Sequence, residues 1–173
     1  MRTRSIALAT PIFLIALIIQ ESLLNQVRLP ASGFTFFLVF TFIWSALSSP
    51  EIGGITGFSA GLLLDLSQYS NAPLGTWTLI LSLVGYAVAF LGYGDEQIHS
   101  NAFSVVVLTV SAVAIAQISY VILSALLGRN IGSILAVLGT IVGTAIWNLL
   151  ISPIIFPLTR FLHDVTYESA GRI

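Results

Sequence analysis

The sequence predicts an all-α polytopic membrane protein of about six transmembrane helices, and three observations carry that expectation. The 173 residues are 57 % hydrophobic, with only six basic and seven acidic side chains, against about 25 % charged residues in an ordinary soluble domain. Mean hydropathy is +1.01. Arg2, Arg4, Arg160, Asp164, Glu168 and Arg172 lie near the two ends, so seven charges serve everything between them. So few charges cannot clothe a water-facing surface, and the solvent around most of the chain is expected to be lipid.

The same composition excludes other classes. A net charge of −1 with no Lys lacks the basic footprint of nucleic-acid binding. No Cys is present, which removes disulfides, thiolate metal sites and Cys nucleophiles. No phosphate loop, HExxH or GxSxG pattern occurs. His99 and His163 read as solvated or interfacial imidazoles, and Asp95 and Glu96 as a solvated turn. An enzyme is not expected, and no metal or cofactor is called for.

A bilayer core needs about 20 helical residues. The first span is expected over 5–24, after the basic start at Arg2 and Arg4; Gln20-Glu21-Ser22 follows it without a small-x-small cleavage site, so it reads as a retained helix. Pro30 and Gly33 mark a loop before a short, aromatic second span over 34–47. Pro50 suits the first turn of a third span over 51–66, at ~24 Å barely long enough to cross, with a partly unwound or re-entrant segment as the other reading. Ser67 to Pro73 is turn-rich, and the fourth span covers 74–91. The polar segment 92–100 separates it from a fifth over 102–127, closed by Gly128-Arg129-Asn130. The sixth covers 131–155, with Pro153 and Pro157 disturbing its end.

This gives a transmembrane domain over 1–157 and a short tail over 158–173. Leu158, Phe161, Leu162 and Val165 recur at helical spacing, which suggests an amphipathic helix on the membrane surface or a frayed helix end. Six spans put Arg2, Arg4, Arg160 and Arg172 on one side against Arg28 and Arg129, so both termini are expected to be cytoplasmic.

Gly53, Gly57, Gly61 and Asp65 are spaced by four and form one ridge of a helix. Such a ridge serves close helix–helix approach, within the bundle or to a partner's helix. Gly139 and Gly143 make a second GxxxG, preceded by Gly132 and Ala136, and Ala112 and Ala116 repeat the spacing in the fifth span. Gln117 and Asn148 are intramembrane amides expected to hydrogen-bond between helices. Asp65, flanked by leucines, is costly in lipid. One expected arrangement is an outer polar cluster of Glu21, Arg28 and Asp65; the other is separate snorkelling to the headgroups.

The run Gly57-Phe58-Ser59-Ala60-Gly61-Leu62-Leu63-Leu64-Asp65, then Pro73-Leu74-Gly75 and Gly85-Tyr86, resembles the rod shape-determining protein MreD family, with its Gly-x-x-x-Gly-x-x-x-Asp run, Pro-x-Gly start to the next span and Gly-Tyr pair. The matching positions are Gly57, Gly61, Asp65, Pro73, Gly75 and Tyr86. The resemblance implies a non-enzymatic inner-membrane scaffold of the cell-elongation machinery. It would sit beside the bitopic protein MreC, the filament protein MreB, RodA and a class B penicillin-binding protein. It also implies a fold similar to the substrate-binding subunits of energy-coupling-factor transporters. Unlike many members, this chain has no basic residue in segment 92–100.

On the scaffold reading, Gly53, Gly57 and Gly61 or the Gly139/Gly143 face would seat a partner's helix, and Gly57→Leu would lose the partner while leaving membrane insertion intact. The alternative is a vitamin- or metal-capturing transporter subunit, with Glu21, Asp65, Gln68, Tyr69 and Asn71 furnishing an outer pocket. The first span lacks the Ala-x-x-x-Ala face by which such subunits dock, which counts against it. A pore or proton channel would need paired intramembrane charges.

Overall fold

A computed structural model of the chain describes residues 2–22, 35–67, 73–93 and 101–171, with side chains from Ala9 to Tyr167 of that set. The expectations placed on Arg28, Gln68, Tyr69, Asn71, Asp95, Glu96 and His99 lie outside the described residues. The described residues form six helices and no strand: α1 (Arg2–Ser22), α2 (Phe36–Ala46), α3 (Pro50–Leu66), α4 (Thr76–Tyr93), α5 (Ala102–Leu126) and α6 (Ile134–Gly171). Three stretches, Thr76–Tyr93, Ala102–Leu126 and Ile134–Tyr167, are long and apolar enough to cross a membrane. Their outward faces carry Leu79, Leu83, Phe90, Ile115, Ile122, Leu138 and Ile146, all about half exposed or more. A surface so apolar belongs to a membrane protein.

α2 is the centre of the bundle. Every residue from Phe37 to Ala46 is buried, because the helix is apolar on all sides and is enclosed by α1, α3, α4, α5 and α6. Phe13 of α1 reaches in edge-on against Phe37, Phe40 and Trp44. The hydroxyls buried in α2 and just past its end are spent on its backbone: Thr41 Oγ1 donates to the Phe37 carbonyl, Ser45 Oγ to Thr41 and, beyond the helix, Ser48 Oγ to Trp44.

The N-terminus of α2 is satisfied by two other helices. Asn148 of α6 accepts the Thr35 N–H at 3.0 Å and donates to Thr35 Oγ1 at 3.0 Å, while Gln20 Oε1 of α1 accepts the Phe37 N–H at 3.3 Å. A helix start inside a bundle has no water to meet its orphan N–H groups, so neighbouring amides do it. Asn148→Ala is expected to lower stability by about 1–3 kcal/mol, read as a lower unfolding midpoint in detergent; an unchanged midpoint contradicts the capping role.

The end of the chain differs from expectation. α6 runs without a break through Pro153 and Pro157 to Gly171, so 158–171 continues the last helix and is no separate surface helix. Each proline removes one backbone bond, which a helix supported by neighbours tolerates. Of the apolar stripe, Leu158, Phe161 and Val165 point out of the bundle and Leu162 packs against its core, while Thr159 and Thr166 are buried and bond back to the Ile155 and Leu162 carbonyls. His163, expected to be solvated or interfacial, is instead packed on the end of α2. Its side chain is 12 % exposed, Nε2 lies 3.1 Å from Ser48 Oγ, and the ring sits edge-on to Trp44 and tilted over Tyr167.

Candidate functional site

The motif residues converge on one structural unit, the hairpin of α3 and α4. α3 presents Gly53, Gly57 and Gly61 to α4 at backbone distance. A Cβ added at Gly57 would fall on the Leu81 carbonyl oxygen, and one at Gly53 on the Ala89 side chain, while one at Gly61 would lie 2.5 Å from the Trp77 carbonyl oxygen and from the Thr78 Cα. α4 answers with its own small residues. Gly85 faces the Gly53 carbonyl, and Gly92 lets the Ala46 carbonyl of α2 come within 2.7 Å of its missing Cβ. The ridge is therefore filled by α4, which removes Gly53, Gly57 and Gly61 from the candidate partner surfaces.

Asp65 closes the same hairpin. It is 5 % exposed and its carboxylate accepts four hydrogen bonds from the start of α4. The Gly75 and Thr78 N–H groups reach Oδ2 at 2.9 Å, Thr78 Oγ1 reaches it at 2.7 Å, and the Trp77 N–H reaches Oδ1 at 3.0 Å. Before it, the chain turns from Pro73 to Thr76, whose N–H and hydroxyl both donate to the Pro73 carbonyl. Gly75 takes φ +94° at the third position, a conformation that favours glycine in such turns. Asp65 thus caps α4, where four donors at a helix N-terminus, with its positive dipole end, hold the carboxylate; Arg28, the cation of the expected outer cluster, lies outside the described residues. Tyr86, the remaining motif position, is about half exposed and stacks on Phe90 along the outward face.

Compared with models of known protein families, with curated proteins and with solved structures, the chain has no match. The resemblance to the MreD family therefore rests on the hairpin residues.

A second feature lies at the end where α1, α3 and α5 finish and α2, α4 and α6 begin. There the bundle opens into a cavity of about 510 Å³ bordered by Gln20, Glu21, Trp77, Gln117, Tyr120 and Thr140, among others. Of the five residues expected to furnish an outer pocket, Glu21 borders it; Asp65 is taken by α4. Trp77 and Tyr120 stand face to face, 4.8 Å between centroids and 11° between planes. The Trp77–Tyr120 pair escapes sequence reading, because nothing in two separate apolar helices reports that a Trp and a Tyr will meet. Gly85 and Ala89 were accessible as a small-x-x-x-small pair in α4.

The second glycine pair has a different setting from the first. Gly139 is exposed and an added Cβ would have no neighbour within 4 Å. Gly143 is half-buried on the same helix, with Leu135, Leu138, Val142 and Ile146 exposed around them.

Proposed function

We propose that this protein is a non-enzymatic membrane scaffold of the MreD type, acting in the cell-elongation machinery of a bacterial inner membrane. It makes six passes with both termini cytoplasmic, in a fold similar to the substrate-binding subunits of energy-coupling-factor transporters. The observation that carries the reading is that the family-like positions Gly57, Gly61, Asp65 and Gly75 serve a single purpose here, the closing of the α3–α4 hairpin. The motif is a device for holding a bundle together, as a scaffold requires. α2, about 16 Å long, crosses inside a shell of other helices and need not match the bilayer thickness by itself. Chain direction alternates from helix to helix around the end cavity, which fits six passes.

The partner is a bitopic MreC-like protein, with MreB, RodA and a class B penicillin-binding protein in the same assembly. With the α3 ridge occupied, its transmembrane helix packs on the open Gly139/Gly143 face of α6, where missing side chains permit close backbone approach. Gly139→Leu is expected to reduce co-purification of the MreC-like protein from gently solubilised host membranes by at least tenfold. Its own unfolding midpoint should not fall, since the added side chain meets open space and leucine favours a helix over glycine. Full co-purification by Gly139→Leu and Gly143→Leu would exclude this face. Recovery of an ATPase pair with a large coupling subunit, in place of wall-synthesis proteins, would overturn the scaffold reading for the transporter one.

A further inference from the structure

We propose that the bundle thins the bilayer along one flank, the α3–α4 hairpin, and that the lipid suited to that flank has short acyl chains. The inference rests on the six-pass reading and needs no partner protein.

Helix lengths differ around the bundle. The outer helices form a ring about α2 in the order α1, α3, α4, α5, α6, so α6 stands across from the hairpin. α3 has 17 residues and α4 has 18, about 25 and 27 Å, against a hydrocarbon core of about 30 Å. The outward row of α3, Ile55, Phe58, Leu62 and Leu66, is bounded by the exposed Glu51 at one end and by Ser67 at the other. The far side of the ring is longer. α5 has 25 residues, and α6 carries no charge from Ile134 to Thr159, about 37 and 39 Å.

A long helix fits a bilayer by tilting, but a short one has no such freedom. Tilt only reduces the height that α3 covers, so its full length is an upper bound. Nor can α3 lengthen, because Ser49 and Ser67 at its two ends have extended backbones, with ψ of 157° and 144°. It cannot slide either: Gly57 and Gly61 meet the backbone of α4, and Asp65 holds the start of that helix. Long basic side chains bridge such a gap by snorkelling, yet the sequence has no Lys or Arg between Arg28 and Arg129. The bilayer beside the hairpin must therefore draw in by roughly 3–5 Å, while α5 and α6 reach across by tilting. Thin lipid removes that deformation.

The test uses the full chain in nanodiscs of dimyristoleoyl-, dioleoyl- and dierucoylphosphatidylcholine, which share a headgroup and differ in thickness. The unfolding midpoint is expected to fall from the thinnest to the thickest by roughly 5 °C. Leu66→Gln takes the last exposed leucine from the outward row of α3 and should steepen that fall about twofold. Leu127→Gln makes the same change at the exposed end of α5, where length is in excess, and should leave the fall as in the parent. A midpoint that is flat or rises with chain length overturns the proposal, as does a Leu127→Gln series as steep as that of Leu66→Gln. Because the chain has no Cys, Glu51→Cys and Leu74→Cys each place a single exposed thiol at one end of α3. In sealed host membrane vesicles an impermeant maleimide should reach them from opposite faces. Labelling from one face would overturn the six-pass reading and this proposal with it, whereas opposite faces with a flat midpoint series would overturn this proposal alone.

Discussion

Gly57→Leu is expected to abolish the folded protein: little material in the membrane fraction, and what is extracted eluting as aggregate on size exclusion. The sequence alone suggested the opposite outcome, a well-inserted protein that has lost its partner. The difference comes from what stands opposite Gly57. Its missing Cβ is replaced by the Leu81 carbonyl oxygen of α4, and a backbone oxygen cannot rotate aside as a side chain does. Ordinary overpacking costs about 1–3 kcal/mol; here the whole of α3 must move away from α4, giving up the Gly53 and Gly61 contacts together. Total stability is only about 5–15 kcal/mol for a typical domain. Gly57→Ala already carries the clashing atom and should lower the unfolding midpoint markedly. Gly54→Ala is the control on the same helix, because its added Cβ would lie 3.6 Å from Tyr86 carbons, an ordinary contact, while alanine favours the helix by about 1 kcal/mol. Equal midpoints for Gly57→Ala and Gly54→Ala would refute the backbone contact.

The helices themselves were largely legible. Apolar runs and their polar breaks place six elements, and the start of the third at Pro50 and the fifth at Ala102 agree with the structure to within a residue. Those boundaries carry local signals, a proline in the first turn and an Asn101 side chain that accepts the Phe103 N–H. The end of α6 was not legible, because the stop signal that proline gives in water is weak in a helix supported on its sides. Inward and outward faces were also hard to assign. In lipid an apolar residue gains little by turning inward, so the stripe of Leu158, Phe161 and Val165 looks outward while Thr159, Thr166 and His163 take the bundle side. The glycine ridge was visible as a spacing, but not who would fill it: helix packing is a pairwise property, and the partner's half of the pattern, Gly85 and Ala89, is written in another element.

Asp65→Ala is expected to be the most damaging single substitution outside the glycines, costing roughly 3–5 kcal/mol, the sum of a lost cap and of buried N–H groups left unpaired. A carboxylate among leucines is disfavoured by about 2.5–3.5 kcal/mol at a membrane centre, so its presence has to be offset by what it holds. It holds three backbone N–H groups and one hydroxyl. Hydrogen bonds to a charged acceptor are each worth about 1.5–3 kcal/mol, and the positive end of α4 adds to them. The variants should therefore rank. Thr78→Val deletes one of the four donors while the Thr78 N–H stays, and should cost about 1 kcal/mol. Asp65→Asn keeps one acceptor oxygen; its amide N–H₂ must face a donor at the other position, so it should fall between Thr78→Val and Asp65→Ala. Unfolding midpoints in one detergent measure the series. A midpoint for Asp65→Asn equal to the parent would mean that the carboxylate's charge is not what caps α4, and a midpoint as low as that of Asp65→Ala would mean that both oxygens are needed at once. In Asp65→Ala the effect should appear first at the α3–α4 connection, as faster backbone amide exchange at Gly75, Trp77 and Thr78, because these are the N–H groups that donate to Asp65.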